Sequence, residues 1–456
     1  MSAVAESTEI AVIAASVREV ATAAKAAARQ LAKLDEITRN AALEAMAQAL
    51  EAAQDELFIA NAEDVAAADS FQGEERLAPA TFSRLKLNEL KLAEMVEQVR
   101  SVKALPDPLG RTLDAIELDD ADPNPAPAPH GLHLRKVSVP LGVLAVIFEA
   151  RPDAVTQIAS LALKSGNAVI LKPGREVERT AIALVRVLRA ALRGQGLPAE
   201  AVSLVLGRER VGELLGMNDL VDMVIPRGSK ALVEHVQRNT SIPVLGHAEG
   251  VCHIYVDRTV DEELALRVIE DAKLDYPAAC NAVETVLVHR DIAAEFVPKL
   301  AERLKQKGVL LHVEDSLLPL VTEAESVDDW HTEYGAAELA VGVVESLDAA
   351  IEHIHRFGSS HTESILTEDE QAAETFLHEV DAAGVFHNAS TRFADGFRYG
   401  FGAEVGISTS RFHARGPVGL EGLTTYKYVL RGAGHVVGDY RGASGRKFTH
   451  KREARQ

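Results

Sequence analysis

The sequence is short of cysteine, with two among 456 residues, Cys252 and Cys280. Two thiols cannot build a disulfide framework. A lone working thiol suits a reducing compartment, so a cytoplasmic protein is expected. Long apolar runs are also missing. None reaches membrane-spanning length and no charged-then-apolar leader precedes the first helical pattern, so neither a membrane partner nor export is expected. Positive charge is scarce: 48 Lys and Arg stand against 68 Asp and Glu, for a formal net charge of −20. A general nucleic-acid binder needs a basic face, so no nucleic-acid partner is expected. Any anionic cofactor has to be held by local features, such as helix N-termini and a few Lys or Arg. The locally basic C-terminal "RGASGRKFTHKREARQ" reads as a solvated tail.

Several motifs are absent too. There is no G-x-G-x-x-G and no Walker A sequence, so those nucleotide-binding modes lack support. There is no H-E-x-x-H and no paired C-x-x-C. His353, His355 and His361 cluster in "HIHRFGSSH", but residues two apart on a helix do not share a face. No metal is expected. No solenoid-type repeat is present.

What remains is strongly patterned. Apolar residues recur at helical spacing through "VREVATAAKAAARQLAKL" and "TRNAALEAMAQALEAAQDELFIANAEDVAAA", predicting Ala-rich helices that cap a sheet. The Pro-rich, acidic "DDADPNPAPAPHG" then predicts an exposed loop or short linker. The β-rich "LHLRKVSVPLGVLAVIFE" follows. After it helices and strands alternate, with "NAVILK", "AVSLVLG" and "DMVIPRG" as the strands. That is the mark of βαβ units and a mainly parallel sheet, on which ligands sit beyond the carboxyl ends of the strands. A second alternating set begins near Asp261, with strands "ETVLVH", "VLLHVE", "LAVGVVE" and "ESILT". Two α/β domains are therefore expected.

Cys280 lies in "KLDYPAACNAVETVLVH", between an expected helix and an expected strand. Small residues precede it, and connections concentrate functional groups. A nucleophilic thiolate there would need its pKa lowered by backbone N–H groups or a cation. The alternative is a small apolar filler, which is the expected role of Cys252 in the strand-like "VCHIYVD". Lys172 ends the strand of "VILKPGREVERTA", where a Lys can reach ribose or phosphate oxygens or simply be solvated. In "MVIPRGSKALVEHV" a strand gives way to a helix through Arg227, Gly228 and Ser229. Ser229 is a fair N-cap, and the free N–H groups of that first turn can bind a pyrophosphate.

Five stretches in order resemble the aldehyde dehydrogenase superfamily over nearly the whole chain. They are "VPLGVLAVIFEARPDAVTQIASLALKSGNAVILK", "VLGHAEGVCHIYVD", "DYPAACNAVETVLVH", "VESLDAAIEHIHRFGSSHTESI" and "AEVGISTSRFHARGPVGLEGLTTYKYVLRG". Within the superfamily they are similar to the branch that reduces L-glutamyl 5-phosphate to L-glutamate 5-semialdehyde, the second step of proline biosynthesis. Phe357 departs from the branch, which usually has His or Tyr there.

The resemblance implies an α/β aldehyde dehydrogenase-like fold. A cofactor domain with a parallel sheet, a catalytic domain and a small β oligomerisation element are expected. The implied boundaries are 1–130 for N-terminal helices and the first part of the cofactor domain, 131–142 for an oligomerisation segment, and 143–260 for the cofactor domain. Residues 261–387 would be the catalytic domain, 388–418 a return to the cofactor domain, and 419–456 a C-terminal oligomerisation segment and tail.

Cys280 would be the acyl-accepting nucleophile, with the Cys280 backbone N–H and the Asn281 side chain as candidates for stabilising the oxyanion. Lys172 would meet the adenine-side ribose of NADPH or NADP+, with Arg175 in the same turn, and Arg227, Gly228 and Ser229 would lie near its phosphates. Arg151 is the candidate grip for a phosphate or carboxylate, its alternative being a structural ion pair with Glu149 or another acid. Ser408 and Arg411, with Thr409 and Ser410, are polar candidates for substrate. Hydrolytic relatives carry an "ELGG" stretch whose Glu helps water attack the thioester; here Val244 falls at that Glu, and Glu249 is out of register. A thioester shielded from water suits reduction. A homo-oligomer is implied, with an association with the upstream glutamate kinase also in view. Two rivals remain at this level: a hydrolytic aldehyde dehydrogenase and a catalytically inactive binding subunit.

Overall fold

The computed structural model describes residues 15–73, 76–77, 79–119, 131–246, 249–443 and 445–452. The Pro-rich loop expected at 119–131 lies almost wholly outside the described residues.

Five helices open the chain: α1 (Val17–Leu31), α2 (Glu36–Ala52), α3 (Gln54–Asp69), α4 (Pro79–Leu85) and α5 (Glu89–Ala104). Strands β1 (Thr112–Asp119) and β2 (Leu132–Pro140) follow. Next come β3 (Val143–Phe148), α6 (Pro152–Lys164), β4 (Ala168–Pro173), α7 (Glu178–Gly194), β5 (Val202–Leu204), α8 (Arg210–Leu215) and β6 (Met223–Arg227). The second alternation is α9 (Lys230–Arg238), β7 (Cys252–Val256), α10 (Glu262–Leu274), β8 (Val283–His289), α11 (Arg290–Lys305), β9 (Leu310–Val313), β10 (Glu325–Ser326), β11 (Glu338–Val344), α12 (Leu347–Phe357), β12 (Thr362–Leu366), α13 (Glu370–Glu379) and β13 (Gly384–His387). Short strands β14 (Ile407–Ser408) and β15 (Gly416–Pro417) precede β16 (Thr424–Arg431) and β17 (Lys451–Arg452).

The chain divides into two units. The first takes Met1–Ile225, Asn239–Pro243 and Gly419–Gln456; the second takes Pro226–Arg238 and Val244–Val418.

In the first unit, β3 and β4 are buried along their whole length, as parallel strands covered by helices on both faces must be. The sheet order is β5-β4-β3-β6, so the strand order changes direction between β3 and β6. Polar anchors fix the helices. The Asp64 carboxylate on α3 accepts from the N–H of Arg179 (3.2 Å), and from the N–H and hydroxyl of Thr180 (both 2.7 Å). It thereby caps α7 and pins the turn leading out of β4. A separate antiparallel sheet has the order β16-β2-β1-β17. The two runs of the oligomerisation element, expected to pair across a dimer, pair instead within the chain as β2 and β16, from Thr424 opposite Pro140 to Arg431 opposite His133.

The second unit is built on a seven-stranded sheet of order β10-β9-β11-β8-β7-β12-β13. Residues including Val256, Val286, Phe296 and Leu300 form the core on one face, where α10 and α11 pack. Tyr255, Leu287, Ile351, Ile354 and Phe376 form the core on the other, under α12 and α13.

Two expected boundaries move. The break expected at 260/261 falls at 243/244, because β7 is hydrogen-bonded between β8 and β12. Residues 388–418, expected to return to the cofactor domain, stay with the second unit. They are tied there by side chains, including Arg392 on Asp275 and Arg415 on Asp381.

Candidate active site

Cys280 sits half-buried in the connection between α10 and β8. Pro277 cannot continue α10, and the chain makes two tight turns instead. The Ala279 N–H donates to the Tyr276 carbonyl (3.1 Å), and the Ala282 N–H to that of Ala279 (2.9 Å). The N–H groups of Cys280 and Asn281 find no acceptor among the described residues, so both remain available to a bound group. Cys280 therefore lies at the amino end of β8. The carboxyl-end rule, applied to this sheet, points to its opposite edge.

Backbone and side chains hold this connection on several sides. From beneath, a Cβ on Gly250 would lie 1.9 Å from the Cys280 carbonyl oxygen and 2.7 Å from its Cα, so only glycine allows the approach. The Cys252 thiol donates to the same carbonyl (Sγ to O 3.4 Å). Burial pushes the Cys252 thiol well above its ordinary pKa, so it stays protonated, as an inert core cysteine does.

At the ends of the connection, Lys273 Nζ donates to Glu284 Oε2 (2.7 Å), and both side chains are fully buried. Burial pushes Glu284 up to about 7 against the pull of Lys273, and lowers Lys273. Closer in, Arg392 Nε donates to Asp275 Oδ2 (3.0 Å) while its Nη1 donates to Asn281 Oδ1. Asn281 Nδ2 donates to the Ala394 carbonyl (2.8 Å). Burial works to raise the Asp275 carboxyl, but the bonds from Arg398 and Arg392 outweigh it and leave it below its ordinary range. The Asn281 side chain, a sequence candidate for the oxyanion, is thus committed at both its oxygen and its nitrogen to residues 392–394.

Next to Cys252 on β7, His253 forms a fully buried pair with Glu363 of β12 (3.1 Å). His353 lies against the rings of His253, Trp330 and Phe357. Burial lowers its pKa to about 3, keeping it neutral.

The cofactor candidates fall in separate places. Lys172, at the end of β4, is buried and its Nζ donates to the Pro173 carbonyl (2.6 Å). Burial lowers its pKa, while Glu178, Glu176 and Glu209 act to raise it. Arg175 lies over the ring of Phe71, 4.2 Å from its centroid. Ala150, at the end of β3, takes a left-handed φ of 46°. Its N–H donates to Glu176 Oε1 (2.6 Å), and the missing Cβ of Gly174 leaves room for that carboxylate. Arg151 follows as the N-cap of α6.

In the second unit the Ser229 hydroxyl accepts from the Leu232 N–H (3.4 Å) at the start of α9. The next residue, Lys230, pairs with Glu249, which accounts for that acid. Val244 is half-buried. Ser408 is buried, and its hydroxyl accepts from the Ser410 N–H (3.3 Å). Arg411 pairs with Asp381, which also holds Arg415.

Lys172 and Arg175, at and after the end of β4, carry the cationic donor chemistry that ribose and phosphate oxygens take. Sequence reasoning missed Arg392, Asp275, Gly250 and the Lys273–Glu284 pair. Glu284 alone left a signal, as a single acid in the apolar run "ETVLVH".

A cysteine in the connection entering a parallel strand of one α/β unit, and a second unit whose parallel sheet is doubly wound, are the parts of an aldehyde dehydrogenase. The aldehyde dehydrogenase family model matches residues 5–326, and the chain belongs to that family. Its relatives are more particular. It is 53% identical over 436 residues to a gamma-glutamyl phosphate reductase of Cyanothece sp., covering 95% of this chain and 97% of that one. It is 50% identical over 432 residues to that of Natronomonas pharaonis, covering 94% and 96%. The crystal structure of the Thermotoga maritima gamma-glutamyl phosphate reductase superposes with a TM-score of 0.86 at 38% identity, over 92% of this chain and 100% of that one.

Proposed function

We propose that this chain reduces L-glutamyl 5-phosphate to L-glutamate 5-semialdehyde and phosphate with NADPH; its relatives' names give the reduction of gamma-glutamyl phosphate, and NADPH is the cofactor that the family resemblance implies. The observation that carries this reading is Cys280: a half-exposed thiol beside two unbonded N–H groups, in a connection held on several sides. The Cys280 thiolate attacks the acyl carbon, the carbon–oxygen bond to phosphate breaks, and phosphate leaves with the electron pair. The result is a thioester on Cys280. The nicotinamide cofactor supplies the hydride that reduces it. Collapse of the thiohemiacetal then expels the thiolate and frees the aldehyde.

In this reading Lys172 holds the adenine-side ribose, turning from the Pro173 carbonyl to do so, and Arg175 meets the extra phosphate of NADPH. Arg227, Gly228 and Ser229 serve the pyrophosphate, and Arg151 grips the substrate phosphate or carboxylate. Ser408 and Arg411 are left to hold the 408–416 segment. The protein works in the cytoplasm as an assembly of identical chains, whose contact is the exposed edge strand β16 with Tyr426, Tyr428 and Leu430.

The test is reverse turnover of the semialdehyde with NADP+, with and without phosphate. Phosphate-dependent turnover that disappears in Cys280→Ser supports the reading. Equal turnover without phosphate would replace it with a hydrolytic aldehyde dehydrogenase.

A further inference from the structure

We infer that Arg392 is a positioning residue, holding the Cys280–Asn281 peptide so that the backbone N–H of Asn281 receives the oxyanion formed at Cys280. The inference rests on Cys280 being the nucleophile. It begins from peptide geometry. In a trans peptide the C=O and the following N–H point in opposite directions, and the described chain has no cis peptide bond. The Cys280 carbonyl is turned toward β7, where it meets Gly250 and accepts from the Cys252 thiol. The Asn281 N–H therefore points away from β7. It has no acceptor among the described residues.

That orientation needs something to prevent the peptide from flipping, and Arg392 supplies it. One guanidinium reaches both ends of the connection, through Nε to Asp275 and through Nη1 to Asn281. Its own backbone is held in turn. Its N–H donates to the Ser390 hydroxyl (3.3 Å), and its carbonyl accepts from Arg398 Nη1 (2.5 Å). Asp275 also accepts from Arg398 Nη2 (3.1 Å). The Arg392 side chain is only 12% exposed, so its charge is spent on the connection and is not presented to a substrate.

Two reactions of Cys280 separate this role from simple support. Acyl transfer from p-nitrophenyl acetate builds an oxyanion. Alkylation by iodoacetamide displaces iodide at a saturated carbon and builds none. Arg392→Met should slow acylation by roughly 10²-fold, the usual effect of losing one oxyanion donor, with alkylation changed by no more than about twofold. In full turnover kcat should fall alike, with KM for the semialdehyde nearly unchanged. Arg392→Lys, which reaches one partner but not both, should fall between.

Equal losses of acylation and alkylation would overturn the inference, as would a raised KM with kcat intact, which would make Arg392 a substrate grip. If Arg392→Met fails to fold, Asn281→Ala removes the clamped side chain and keeps the backbone N–H. It should show the same split, and wild-type rates for both reactions would refute the idea. Failure of the underlying reading looks different: wild-type enzyme alkylated at Cys280 would keep its activity.

Discussion

Lys273→Met isolates the cost of the buried ion pair that brackets Cys280. In the native protein, Glu284 accepts from Lys273 at 2.7 Å and more weakly from the Gly335 N–H at 3.4 Å. Methionine fills much of the lysine's volume but leaves the carboxylate with the weaker donor alone. Breaking a buried pair from one side typically costs about 3–5 kcal/mol. The loss should depend on pH. The Glu284 pKa is already pushed up to about 7 by burial, with Lys273 opposing the rise; without the lysine it climbs further. A carboxyl whose folded pKa is raised contributes stability that is fully present below its unfolded pKa and lost as pH rises through the folded value. The variant should therefore be most destabilised at pH 8, and should recover as acid protonates Glu284. Lys273→Met combined with Glu284→Leu should regain most of the loss, because both charges are gone. Urea unfolding at pH 5.5 and 8 measures all three proteins. A single variant within about 1 kcal/mol of wild type at pH 8, or a double variant no better than the single, would refute the reasoning.

Cys280→Ser should abolish reduction while leaving NADPH binding nearly intact, whereas Cys252→Ser, which keeps a donor to the Cys280 carbonyl, should retain substantial activity; steady-state rates and cofactor titration decide it. Gly250→Ala places a methyl group 1.9 Å from the Cys280 carbonyl oxygen, so the connection must shift. Activity should drop roughly 10²-fold or more at unchanged cofactor affinity, as for a misplaced catalytic group. Lys172→Ala with Arg175→Ala should raise KM for NADPH more than for NADH, and equal rises would remove these residues from the account of specificity.

The alternation of apolar strands and amphipathic helices was readable from residue 131 onward because buried parallel strands are continuous apolar runs, as in "VLAVIF" and "AVILKP". Strand β1 was not recognised. Three of the eight residues of its "TLDAIELD" are acidic, it stands just before the Pro-rich stretch, and pairing with β2 and β17 makes it a strand. The boundary at 243/244 was hidden for a similar reason: the strand "CHIYV" reads the same in either unit, and only its neighbours assign it. Cys280 stood out as the candidate nucleophile by its small neighbours and its place in a connection, which the structure keeps between α10 and β8. The residues that hold it were not legible, because Arg392 reaches Asp275 and Asn281 across a long stretch of chain that carries no periodic trace of the contact. Lys172 shows the opposite gap. Its place at a strand end was readable, but its inward turn to the Pro173 carbonyl depends on local rotamers.

The order of these parts along the chain affects how the enzyme comes into being. On a ribosome, the Cys280 thiol emerges well before Arg392, and before β16 closes onto β2. Domains generally fold as units during synthesis, but the second unit lacks the Arg392 contacts to Asp275 and Asn281 until its last stretch is made. The growing chain therefore carries the Cys280 thiol before the side chains that hold its connection, and those contacts form late in translation.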